Sequence, residues 1–416
     1  MKNSGNYFRV VGLCLFALVL CFAANGQKPI KDIDPTVILV AIDGFRYDYF
    51  ERHQPATINS LAKNGMRAQW MKPAFPTKTF PNFYTVATGL YPVNHGLVEN
   101  NVWDFGTTFT MNKREEVENP RWWLGEPIWV TAEKNNIRSA AMFYPGTETE
   151  IGGKRPTFWN KYEHEKPREE RVDQVLKWLD LPREERPRFI TLYFHDIDSA
   201  GHDYGPDAIE TRDAVQKIDA MIKRLIDGLK ERKIFGKANL ILFSDHGMAE
   251  TDWRKVNLVD NYIDLADAER IIWTYEFLQI FPKAGKEDLL AQQLKKMPYA
   301  KCWKKTDIPE RFNYRHGARV APIVCSADEG RIFSSNSRYA EMLKKGGIDR
   351  PRGGHGYDND LVSMRAMFVG HGNAFKRFYV AEPFPNIDVY ELMCKILKIT
   401  PAKNDGNFER VRKMLK

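Results

Sequence analysis

Three short apolar runs, each closed by an acidic residue, restrict the fold of this chain more than anything else in it. Residues 33–42 end in TVILVAI and run straight into Asp43-Gly44. Residues 189–194, FITLYF, run into His195-Asp196-Ile197-Asp198, and residues 240–243 run into Ser244-Asp245-His246-Gly247. Runs that are apolar on both faces belong to strands buried in a parallel sheet; a strand with one wet face alternates instead. Between them lie segments of helical period. Residues 55–64 read as a helix stopped by Gly65, and 126–135 as another, followed by a strand at 138–143. Residues 168–179 form a charged amphipathic helix. Residues 207–233, with Val215, Ile218, Ile222, Leu225 and Leu229 in register, form a long covering helix. Strand, crossover helix, strand, repeated, predicts an α/β fold: a doubly wound, mostly parallel sheet with helices on both faces. Ligands of such sheets bind beyond the carboxyl ends of the strands. Asp43, Asp198 and Asp245 are therefore predicted at one edge. One acid after a strand is ordinary turn chemistry; three, two of them with histidines, ask for another explanation.

Residues 270–350 differ in texture. They carry strand-like runs at 271–281, 300–304 and 320–326, a helix at 286–297, and no visible catalytic pattern. They read as a smaller inserted α+β lobe, leaving 27–269 and 351–416 as the core. The chain returns through Gly353-Gly354-His355-Gly356, a strand at 366–369 and a last helix at 387–397.

Residues 1–26 read as a signal peptide. Lys2 and Arg9 precede an apolar run at 10–24, and Ala24-Asn25-Gly26 supplies a small-x-small cleavage site. The run is too short to span a bilayer comfortably, so the expected product is exported, periplasmic or secreted, with no stable membrane span. An uncleaved anchor and a lipid on Cys21 are the alternatives. Export permits a disulfide; Cys302 and Cys325, on neighbouring strand-like runs, can form one, and Cys394 is then a buried thiol. The net charge of +8 is scattered among acids, which excludes a nucleic-acid stripe but favours small anionic substrates.

The segment 72–101, KPAFPTKTFPNFYTVATGLYPVNHGLVENN, enters a helix near Thr79 and Phe80. A helix N-terminus presents unpaired N–H groups and suits an anion. Thr79 is either a plain N-cap or a hydroxyl placed at that anion site. Elsewhere, donors suited to zinc assemble into two sets. One is Asp198, His202 and His355; the other is Asp43, Asp245, His246 and the oxygen of Thr79. Asp198 and His202 stand four apart, and Asp245 and His246 are adjacent at a strand end. Asp196 is a rival to Asp198, but the four-residue spacing to His202 favours Asp198.

These residues lie in blocks that resemble the nucleotide pyrophosphatase/phosphodiesterase branch of the alkaline phosphatase superfamily: AIDGFR at 41–46, PTKTFPNFYTVATGLYPVNHGLVENN at 76–101, YPGTETEIGG at 144–153, DSAGHDYGP at 198–206, SDHGM at 244–248 and GGHGYDN at 353–359. The resemblance implies two zinc ions on the two sets, Thr79 as nucleophile, and Asn100 as a donor to a phosphoryl oxygen. It implies nucleotide substrates whose base stacks on Phe80 and Tyr162, and release of a nucleoside monophosphate. Two departures are visible: His195-Asp196-Ile197 replaces a more usual acidic pair and proline, and Phe83 stands where His is common. A monoester enzyme needs extra cations for the transferred group; the nucleophile block offers only Lys78, read as exposed, so a diester is preferred. The competing readings are a choline-lipid or headgroup phosphodiesterase of the same fold and a metal-holding binding protein without turnover. The completeness of the seven-residue set speaks against the second.

Overall fold

The computed structural model describes residues 29–104, 106–346 and 349–416; the predicted signal segment at 1–26 lies outside the described residues. In chain order the main sheet contains β1 (Val37–Ile42), β2 (Met66–Ala68), β3 (Ser139–Met142), β4 (Phe158–Trp159), β5 (Phe189–Phe194), β6 (Asn239–Phe243), β7 (Phe368–His371) and β8 (Tyr379–Ala381). Their spatial order is β8-β2-β7-β6-β1-β5-β3-β4. The three apolar runs are thus its middle: β1 pairs in parallel with β5, Ile42 opposite Phe194, and with β6, Ala41 opposite Phe243. Those registers deliver Asp43, His195 and Ser244 to the same edge. β7 pairs antiparallel with β6 and β2; the other neighbours are parallel.

The helices that cover it are α1 (Ala56–Asn64), α2 (Thr79–Thr88), α3 (Ile128–Lys134), α4 (Arg168–Leu179), α5 (Asp196–Tyr204), α6 (Ile209–Glu231) and α7 (Asp388–Leu397). Val37, Leu39 and Ala41 pack with residues of α2, α3 and α7. Ile38, Val40 and Ile42 pack with residues of α1, α4 and α6 on the other face. A continuous apolar run is required because each strand feeds two cores. Every fully buried Val, Leu or Ile contributes about 1.5–3 kcal/mol.

A second sheet is antiparallel, in the order Ala268–Thr274, Phe277–Pro282, Ile323–Ala327, Ala300–Lys304, and shares a small core with the helix Glu287–Leu294. Cys302 and Cys325 lie opposite each other in it and are bonded; Cys394 is a free, buried thiol. The run read as one strand at 271–281 is two, reversing at Tyr275-Glu276, with Tyr275 at φ +59°. Among the described residues no helix is long and apolar enough to cross a membrane.

The helix α2 is bolted in place by His95, which is fully buried. Its Nδ1 accepts the Leu97 N–H at 3.3 Å, so Nε2 carries the proton and faces the Pro81 carbonyl at 3.1 Å and Thr85 Oγ1 at 3.0 Å. Burial holds the imidazole neutral, its pKa lowered to about 3. The unfolded chain therefore binds this proton more readily between pH 6.5 and 3. The stabilisation is complete above about pH 6.5 and is lost as pH falls through that window. At pH 5 the loss from His95 alone should be about 2 kcal/mol. Urea unfolding at pH 7 and pH 5 checks it: His95→Gln should show a shallower pH dependence than wild type, and equal slopes would reject the assignment.

Candidate active site

The carboxyl edge of the sheet gathers side chains from four separate segments. Asp43 follows β1, Asp245 and His246 follow β6, and Asp198 and His202 stand one turn apart on α5. His355 follows the short strand Arg352–Gly354. Gly44 permits the closeness of the first and third of these: at φ +70°, a Cβ on it would lie 2.8 Å from Asp198 Cα. The segment DIDSAGHDY is a full helix despite its poor helix formers, and its i, i+4 spacing aims Asp198 and His202 the same way.

Two groups of ligating atoms result, Asp198-His202-His355 and Asp43-Asp245-His246, each with its atoms within 4.8 Å of one another. The groups adjoin: His246 and His355 stack at 3.5 Å between centroids, and His246 Nε2 is 4.0 Å from Asp198 Oδ1. Thr79, the first residue of α2, places Oγ1 3.4 Å from His246 Nε2. Asp196 is in neither group; its carboxylate is bound by Arg168.

Whether these residues fit metal ions can be tested on their hydrogen bonds. All three rings direct Nδ1 at a backbone carbonyl: His202 at Gly353 (3.0 Å), His246 at Gly247 (2.8 Å) and His355 at Thr77 (2.7 Å). A carbonyl can only accept, so Nδ1 is protonated in each and every Nε2 turns a lone pair inward. The buried oxygens Asp43 Oδ1, Asp198 Oδ1 and Asp245 Oδ2 accept no hydrogen bond in this tautomer arrangement, Asp245 Oδ2 facing the His246 Nε2 lone pair at 2.9 Å. Burial, then Asp245 and Asp198, push the Asp43 carboxyl well above the usual carboxylate range. Burial, then His246 and His202, push the His355 imidazole well down. Three carboxylates that repel and three inward lone pairs are what divalent cations would relieve, and the donor set fits two.

Around this centre Asn100 Oδ1 accepts the Phe80 N–H at 2.8 Å. That N–H is thus engaged rather than open to a ligand, and it leaves the Asn100 amide N–H group as the donor. Phe80 is half-buried, its ring near Phe109 and Trp123 at 5.7 and 6.1 Å. Tyr162 donates to or accepts from His164 Nδ1 at 2.9 Å and packs 6.1 Å from Tyr193. Phe83 is fully buried against Tyr144, Tyr193 and Phe243. Sequence reasoning missed Tyr193, whose hydroxyl donates to Asp43 Oδ2 at 2.7 Å, and Thr77. The signal for Tyr193 was available: a phenol hydroxyl near the end of a mostly apolar strand run. Lys78 is a correction. It is 5% exposed rather than free, and its ammonium pairs with Glu276 at 2.6 Å.

The family model for type I phosphodiesterase/nucleotide pyrophosphatase matches residues 37–358. The chain is 37% identical over 408 residues to a venom phosphodiesterase of Crotalus durissus collilineatus, covering 95% of this chain and 47% of that one. It is 36% identical over 426 residues to an uncharacterized pyrophosphatase/phosphodiesterase of Schizosaccharomyces pombe, covering 96% and 86%. It spans about half the length of the venom relatives it matches. Murine ectonucleotide pyrophosphatase/phosphodiesterase 5, solved as an inactive threonine-to-alanine variant in complex with AMP, superposes with a TM-score of 0.85 at 32% identity, over 92% of this chain and all of that one.

Proposed function

The chain belongs to the type I phosphodiesterase/nucleotide pyrophosphatase family of the alkaline phosphatase superfamily, and on that premise we propose that it is an exported, zinc-dependent hydrolase of nucleotide phosphodiester or phosphoanhydride bonds. One observation supports this reading above the others: a buried threonine hydroxyl at a helix start, 3.4 Å from His246 Nε2 and beside both metal-ligating groups. We assign residues 27–269 and 351–416 to the catalytic core and 270–350 to the inserted lobe.

In this reading Asp198, His202 and His355 hold one zinc, and Asp43, Asp245 and His246, with Thr79 Oγ1, hold the other. When bound, the ions supply Lewis acidity: they favour ionisation of the hydroxyl and of the attacking water, and they offset charge on phosphoryl oxygens. Thr79 Oγ1 attacks phosphorus in line with the leaving oxygen, the P–O bond to that group breaks, and a phosphothreonine diester forms. Water then cleaves the P–O bond to Thr79 and releases the nucleoside monophosphate. Asn100, held by the Phe80 N–H, donates to a non-bridging oxygen as charge grows on it. Phe80 and Tyr162 offer faces to the base. Lys78, the single Lys or Arg of the nucleophile block, is neutralised by Glu276, so no free cation of that block awaits the second charge of a monoester. Nucleotide recognition also draws support from the AMP held by the murine relative. Export draws support from the Cys302–Cys325 bond.

The test offers purified protein the nitrophenyl esters of thymidine monophosphate, of phosphorylcholine and of plain phosphate, with and without a chelator. The thymidine ester should be turned over fastest, and chelation should abolish turnover. Dominance of the phosphorylcholine ester would replace the nucleotide reading, and dominance of plain nitrophenyl phosphate would end the diesterase reading.

A further inference from the structure

We propose that Glu276, in the inserted lobe, is a positioning residue for the nucleophile and acts through Lys78. This deepens the reading just given and rests on it.

Lys78 immediately precedes Thr79 and is the N-cap residue of α2, yet its side chain makes no capping bond. It runs instead into the protein, where Nζ donates to Glu276 Oε2 at 2.6 Å and to the Thr274 carbonyl at 3.0 Å. Both acceptors sit where the lobe's first two strands reverse, and Glu276 is 4% exposed. The pair is enclosed by the chain on either side of His355. A Cβ on Gly354 would lie 2.4 Å from Glu276 Oε1, and one on Gly356, at φ +116°, would lie 2.3 Å from Lys78 Cε. His355 is therefore seated on the ion pair by two residues that have no side chain to hold it away. The segment that carries His355 is also joined to the entry of α2 by Thr77, whose carbonyl accepts from His355 Nδ1 and whose Oγ1 accepts the Gly356 N–H at 2.8 Å.

The lobe thereby reaches two parts of the site at once: the backbone that sets the direction of Thr79 Oγ1, and the segment that carries His355. Glu276 also cancels a positive charge that would otherwise stand beside a centre built to hold cations. A buried ion pair is a poor source of net stability. Its retention here is explained by what it holds in place. Displacement of a reacting group by about 1 Å costs on the order of 100-fold in rate.

Two readouts on Glu276→Gln test this. With saturating thymidine ester and zinc content verified at wild-type level, kcat should fall about 100-fold while KM moves by less than about 3-fold. In metal-free protein, amide hydrogen exchange over residues 77–83 should accelerate at least about tenfold, with distant strands unchanged. The double variant Lys78→Met/Glu276→Leu removes both members of the ion pair together and covers the case in which Glu276→Gln does not fold. It too should lose kcat at least tenfold, because the tether is absent. Wild-type kcat in either variant, or unchanged exchange at 77–83, overturns the inference even if melting is earlier. Should wild type itself hydrolyse none of the esters, the phosphodiesterase reading falls, and the exchange result alone decides whether Glu276 holds α2.

Discussion

Thr79→Ala is expected to lower turnover of the thymidine ester by at least about 1,000-fold while the protein still carries two metal ions. The substitution removes the hydroxyl and the γ-methyl from a residue that is 7% exposed and sits at the first position of α2. The hydroxyl's recorded partner is His246 Nε2, so its loss breaks no capping bond and unpairs no buried donor. Of the six other side chains in the two candidate metal-holding groups, five keep their supports: three Nδ1 groups on backbone carbonyls, Tyr193 on Asp43, and the Gly44 N–H on Asp245 at 3.3 Å. Metal content by elemental analysis should therefore stay near wild type as the rate collapses. Thr79→Ser keeps the nucleophile and loses only a methyl group, and should retain a measurable fraction of activity. An Ala variant within about tenfold of wild type would mean that water attacks phosphorus directly.

The order of these elements is legible in the sequence because their causes are local. A strand covered on both faces must be apolar at every position, and β1 and β5 were readable to their last residue for that reason. The two candidate metal-holding groups were legible through spacing and through their places at strand ends. What was not legible depends on partners far away in the chain. Lys78 looks like any solvated lysine until Glu276, 198 residues later, is folded against it. The Phe80 N–H looks free as a first-turn donor until Asn100 takes it. The lobe's first two strands merge in the sequence because Tyr275-Glu276 carries no turn residue; packing forces Tyr275 into the left-handed region, which a Gly or Asn would have announced. α5 is not announced as a helix by its Asp, Ser and Gly content; its His202 is anchored to the Gly353 carbonyl and its C-terminus closes on Gly205.

Asp43→Asn should make the metal-free protein more stable and the metal-loaded protein less so. Asp43 is 2% exposed, and its Oδ1 has no hydrogen-bond partner. Burial and the neighbouring Asp245 and Asp198 disfavour its charge. Without cations that repulsion opposes folding, and an amide of the same shape removes it while still accepting the Tyr193 hydroxyl. The expected gain in the metal-free state is about 1–3 kcal/mol, the scale set by an uncompensated buried charge tempered by relaxation. With zinc the order reverses. Each ion bound only by the folded state adds about 4 kcal/mol when present at 1,000 times its dissociation constant, and the variant loses much of that at one of its two groups. Urea unfolding with chelator and with excess zinc should therefore rank the two proteins in opposite orders, with activity lost in the variant. A variant less stable than wild type in both conditions would assign Asp43 to holding Tyr193 rather than to binding a cation. Crossing of the two rankings is the behaviour of a site whose folding cost is recovered only when it is filled, which links the repulsion among three carboxylates to the chemistry proposed for Thr79 beside them.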